Sequence, residues 1–186
     1  AIFLIPDHPE THFAHGIYNI WCLKDREAAI EEFELAAAGQ PKNGEIANHL
    51  GQLYAASGEW DKSGLFLKKA FELDPEILGH AVWVAGLYSF IRDFDMAEKY
   101  YRTAIQTFPE NTMAYSFLSD MKKYAYGDLD GAGKILKDGM LNVDKPGLLV
   151  IHRFRLAMDL REFDDALKLM QEEYEGVSPS LYKGIA

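Results

Sequence analysis

Apolar and small residues recur along this chain at helical spacing, and the pattern itself then recurs. Leu50, Gly51 and Tyr54 are followed by Ser63, Leu67 and Ala70, and the same order returns in Val84, Ala85, Tyr88, Ala97, Tyr101 and Ala104. Steps of three, four and seven place each set on one buried stripe, so each unit is predicted to hold two amphipathic helices. Gly51 and Ser63, like Ala85 and Ala97, let the paired helices approach closely, while Trp60 and Phe94 fill the gap at the turn. Pro41, Pro75 and Pro109 close successive units at intervals of 34 residues. Proline clashes with the preceding turn and forces its predecessor out of α geometry, so each marks the end of a second helix. A period of this length belongs to stacked helical hairpins, which cannot bury their apolar faces alone and share one core with their neighbours.

The turns carry their own chemistry. Gly58 takes positive φ cheaply at the end of a first helix, and Asp61 then opens the second, where a carboxylate satisfies free amides and meets the favourable end of the dipole. Glu27, Asp95, Asp130 and Asp164 stand at the corresponding place in other units. The first unit carries one extra residue near Trp21 to Lys24, and the fourth one before Gly127. Each is expected to lengthen or bulge a first helix. The fifth unit keeps Phe163, Ala166 and Met170 without the closing proline.

These features resemble the tetratricopeptide repeat (TPR) family over nearly the whole chain. The most specific stretches run from Leu50-Gly51-Gln52-Leu53-Tyr54 through Leu73-Asp74-Pro75, with a parallel run ending at Pro109. The expected fold is all-α, and the resemblance implies a right-handed superhelical solenoid of antiparallel helix pairs, about five repeats. One array is expected over residues 1–186, with repeats at about 9–43, 44–77, 78–111, 112–146 and 147–176. Residues 1–8 then read as the tail of a preceding repeat and 177–186 as the start of a following helix, with Ser178 and Pro179 as its cap and first turn. Uncapped ends suggest a fragment of a longer protein and a capacity for end-to-end self-association. Departures from the family pattern are His15 beside Gly16, and Arg153-Phe154 in place of a small pair. The run from Pro9 to Gly16, with Trp21 to Ala29, is also similar to repeats behind the catalytic region of bacterial nucleotide-cyclase-type signalling proteins.

Composition narrows the partner class. The 186 residues carry 19 basic and 29 acidic side chains, a formal charge of −10. Nucleic-acid binders cluster Lys and Arg, so a phosphate-backbone partner is disfavoured. No stretch approaches the roughly 18 apolar residues of a membrane span, and no signal peptide is evident. The single cysteine, Cys22, forbids an intrachain disulfide and is expected to be small and buried. The expectation is a cytoplasmic protein.

Candidate chemistry is sparse. His8, His12 and His15 alone have ligand-like spacing, but the simpler reading places His8 in a turn, His12 exposed and His15 packed, with no metal. No nucleophile elbow, phosphate loop or His-Glu-x-x-His motif appears, and Gly131-Ala132-Gly133-Lys134 lacks the strand and hydroxyl residue of a phosphate loop. The chain is therefore expected to bind without catalysis and without a cofactor. The TPR resemblance implies a concave groove lined by first helices, which commonly holds a peptide or helix. Its expected lining is Phe13 and Ile17, then Asn48, Gln52 and Ala55, then Val82, Gly86 and Ser89, continuing with Ser116, Asp120 and Lys123, and with Ile151, Arg155 and Asp159. Some family members clamp acidic C-terminal peptides with Lys, Arg and Asn; only Asn48, Lys123 and Arg155 qualify here, too dispersed to form that clamp. A neutral or amphipathic helix is the more natural guest. The alternative function is a regulatory or oligomerising segment of a larger bacterial signalling enzyme.

Overall fold

The computed structural model describes residues 7–144 and 147–173. Among them the chain forms ten α-helices, one π-helical segment and no strand, an all-α helical-repeat fold of the solenoid class. First helices are α1 (Pro9–Tyr18), α3 (Gly44–Ala56), α5 (Leu78–Phe90), α7 (Thr112–Tyr126) and α9 (Gly147–Asp159). Second helices are α2 (Arg26–Gly39), α4 (Trp60–Leu73), α6 (Phe94–Thr107), α8 (Leu129–Asn142) and α10 (Phe163–Glu173). The packing divides into two units, Ala1–Tyr100 and Tyr101–Ala186, with the boundary inside α6.

In the first unit each helix from α1 to α5 packs on the next, and α3 also touches α5. Ala29, Phe33 and Ala36 of α2 meet Ile46, Leu50 and Tyr54 of α3 in one buried cluster. In the second unit α7 to α10 pack in the same succession, α7 also touches α9, and Tyr115, Ala132, Leu136, Leu149 and Leu156 form the core.

Small residues set the helix spacing. A Cβ on Gly51 would lie 2.6 Å from the Leu67 side chain, and one on Gly139 would lie 2.8 Å from both Tyr115 and Leu149. Interiors packed this tightly reject added volume. The facing residues Ala29, Ser63, Ala97 and Ala132 are fully buried. Ser119, at the position of Gly51 in its own repeat, donates its hydroxyl to the Ala132 carbonyl at 3.1 Å.

Each hairpin turn passes through one residue with positive φ: Lys24, Gly58, Arg92, Gly127 and Arg161. Only two are glycine, so the other three carry the left-handed backbone against the preference of their side chains. The extra residue of the first repeat is absorbed by the π-helical segment Asn19–Leu23, which ends on the left-handed Lys24. That of the fourth repeat lengthens α7 to 15 residues, where α3, α5 and α9 have 13.

Three sequence expectations need correction. Cys22 is exposed, because the π-helical segment packs Ile20 against the core and leaves Trp21, Cys22 and Leu23 facing solvent. Asp61 and its equivalents lie inside the first turn, where they meet the dipole, but the capping bonds come from earlier residues. Asp25 accepts from the Ala28 amide, Asp93 from Met96 and Asp128 from Gly131; Glu59, before α4, makes no such bond. His12 is the more buried of the neighbouring histidines and His15 the exposed one, because Glu32 of α2 draws the His12 ring inward at 2.7 Å and leaves His15 at 3.7 Å. The expectations for residues 1–6, Pro146 and residues 174–186, among them the preceding-repeat tail and the Ser178-Pro179 cap, lie outside the described residues.

Candidate partner-binding site

The expected groove residues fall into two chemically different settings. In the first unit Phe13 and Ile17 pack against the α2–α3 core. Phe13 meets Phe33 edge-on at 5.6 Å, and the His49 ring stacks on Phe33 at 5.0 Å. Val82 is buried, Gly86 and Ser89 are half-buried, and the Asn48 side-chain oxygen is buried with no hydrogen-bond partner among the described residues. Gln52 and Ala55 face open space.

That space is a cleft of about 630 Å³ lined by Ile20, Trp21, Lys24, Arg26, His49, Gln52, Leu53, Ala55, Ala56 and Trp83. Its origin is local. The π-helical segment carries Trp21 outward, the left-handed turn at Lys24 reverses the chain, and Arg26 opens α2 on the same rim. Opposite, α3 and α5 lie side by side and present Gln52, Ala55 and Trp83. Trp21 is 67% exposed and Trp83 46% exposed, so two indoles stand open to solvent. The Lys24 ammonium lies 5.6 Å from the Trp21 ring centroid, within range of its electron-rich face.

His49 forms part of the lining between the core and the cleft. Burial pushes its pKa below the ordinary histidine value, and the Glu45 carboxylate acts in the opposite direction. The imidazole is therefore neutral at neutral pH, able to donate or accept one hydrogen bond. No carboxylate lines the cleft. Asp25, between Lys24 and Arg26 in sequence, directs its carboxylate to the Ala28 amide.

A second cleft of about 620 Å³ lies between α4 and α5, lined by residues that include Trp60, Asp61, Leu65, Lys68, Glu72, Tyr88 and Ile91. Trp60 stacks on Phe90 at 4.1 Å. Its charges are mixed, with Asp61 and Glu72 beside Lys68 and Lys69. It contains none of the expected groove residues.

In the second unit the corresponding positions bind one another. Asp120 of α7 meets His152 of α9 at 3.1 Å, and Lys123 pairs with Asp159. Burial opposes the charge on Lys123, but hydrogen bonds to Asp159 and Tyr124 outweigh it and raise the ammonium pKa. Ser116 is buried and returns its hydroxyl to the Thr112 carbonyl at 2.8 Å. Ile151 is half-buried and Arg155 exposed.

Among the described residues no group of three or more His, Cys, Asp or Glu side chains could hold a metal. His8 instead caps α1, its Nδ1 accepting from the Glu10 amide at 3.3 Å. None of the described helices is long and apolar enough to cross a membrane. Sequence reasoning missed Trp21, Lys24, Arg26 and Trp83. The extra residue before Lys24 was the available signal, because it displaces the end of the first hairpin from the regular register.

Comparison with known proteins supports the repeat reading. The tetratricopeptide repeat model matches residues 44–77 and 82–111, so these stretches are similar to TPR repeats. The fold is similar to the crystal structure of MamA protein, at 20% identity and TM-score 0.70, covering 90% of each chain. It is also similar to PilF of Pseudomonas aeruginosa, at 16% identity and TM-score 0.70, covering 92% of this chain and 79% of that one. A thermophilic TPR protein of Thermus thermophilus matches at 17% identity and TM-score 0.67, covering 93% of each chain. No match is found among curated protein sequences.

Proposed function

We propose that this chain is a non-catalytic protein-interaction module, and that its first unit takes a peptide or helix into the cleft between the π-helical segment, α3 and α5. The observation that carries this reading is the pair of exposed indoles, Trp21 and Trp83, flanking a cleft that Gln52 also lines. Protein-binding sites are anchored by aromatic side chains in concave, water-excluding surroundings, with a few polar groups to fix orientation. Gln52 and the neutral His49 supply those polar groups, and the buried α2–α3 core holds their backbone rigid. In the second unit Asp120 and Lys123 are already engaged by His152 and Asp159 of α9, which favours the first unit as the place of capture.

Selection from a displayed random-peptide library tests the reading. Enriched peptides are expected to bind the parent, and binding is expected to fall by about tenfold or more when Trp83→Ala is combined with Gln52→Ala. Circular dichroism of that variant should match the parent. Failure to enrich any peptide, or equal binding by the folded double variant, contradicts the assignment.

A further inference from the structure

We infer that the occupant of this cleft is an acidic peptide segment carrying one bulky apolar side chain, seated between Trp21 and Trp83 with its carboxylates against Lys24 and Arg26. The inference rests on the cleft being the partner site, and it names the chemistry of the guest. The chain as a whole carries a formal charge of −10, yet this lining holds two cations and no carboxylate. The net charge of the chain repels an acidic segment while this lining attracts it, and the other cleft offsets its lysines with Asp61 and Glu72, so local charge favours this site.

The apolar requirement comes from the walls. Ile20, Leu53, Ala55 and Ala56 line the space between the indoles, and they gain free energy only when an apolar group displaces water. Gln52 and the uncharged His49 lie within the same lining and suit a neutral peptide backbone, whereas a positively charged imidazole would add a third cation. The π-helical segment supports the same conclusion. Such segments are rare and frequent at functional sites, and this one sets Trp21 and Lys24 in the cleft lining. The cations come from one turn and the start of α2, so the arrangement differs from a clamp dispersed over successive first helices. It also departs from the neutral or amphipathic helix expected from sequence alone.

Three blocked synthetic peptides of one length test this, each with a central phenylalanine flanked by glutamate, glutamine or lysine. Titration is followed by tryptophan fluorescence of the parent, of Lys24→Gln combined with Arg26→Gln, and of Trp83→Ala. The glutamate peptide is expected to bind the parent roughly tenfold or more tightly than the glutamine peptide, with the lysine peptide weakest. The double cation variant should erase that preference, and Trp83→Ala should weaken glutamate and glutamine peptides alike. Equal binding of glutamate and glutamine peptides, no binding of any of the three, or a preference that survives in the double variant overturns the inference. If library-selected peptides still depend on Trp83, only the acidic chemistry falls. If Trp83→Ala leaves every peptide unchanged, the cleft assignment falls with it.

Discussion

The two units use the same positions of their first helices for different purposes. In the second, Asp120 with His152 and Lys123 with Asp159 join α7 to α9, so the charged groups have partners within the fold. In the first, Gln52, Ala55 and Trp83 of α3 and α5 line an open cleft whose rim cations have no carboxylate in the lining. One helical-repeat scaffold thus supports a self-satisfied face and an unsatisfied one. The difference arises from a handful of side chains and from how each unit accommodates its extra residue, as a π-helical segment in the first and a longer α7 in the second, since both units share the helix pairing and the small-residue contacts beneath.

The most damaging test of this contrast removes the support of the open face. Phe33→Ala deletes the fully buried ring that carries His49, Phe13 and Gly16, and should cost about 3–5 kcal/mol by denaturant titration. A smaller loss is expected from Gly51→Leu, on the order of 1–3 kcal/mol, because even its Cβ would press on Leu67. Gly58→Ala isolates the turn: nothing lies within 4 Å of an added Cβ, so its cost of about 1 kcal/mol would reflect positive φ alone.

Acidification separates the units further. The depressed His49 pKa means that below the ordinary value of 6.5 the unfolded chain binds the proton first. Its contribution is therefore retained above that value and lost as pH falls from there through the folded-state pKa. Thermal melts across this range should show stability declining, and His49→Asn should flatten that part of the curve. The smallest effect is expected in the second unit, where Lys123→Ala should cost about 0–1 kcal/mol, less at high salt, because Asp159 is half exposed.

Much of the fold was legible because its determinants repeat. Ala29, Ser63, Ala97 and Ala132 announce the helix contacts, and Pro41, Pro75 and Pro109 fall just beyond the ends of α2, α4 and α6. The caps were harder to read, since Asp25 and Asp128 compete with Glu27 and Asp130 only two residues away, and hydrogen-bond geometry decides between them. The candidate site was least legible. Regular spacing identifies helical positions, but the cleft owes its rim to a π-helical segment and a left-handed lysine, which depart from regular spacing. Positions such as Asp120 and Lys123 were visible as charged, yet their partners lie one repeat away.

The central claim can be read directly from the indole N–H resonances of the three tryptophans during titration with a library-selected peptide. Trp21 and Trp83 flank the proposed cleft, whereas Trp60 stacks on Phe90 beside the other one. The account predicts that the Trp21 and Trp83 signals shift together while Trp60 stays fixed. Movement of Trp60 with Trp21 and Trp83 unchanged would contradict it.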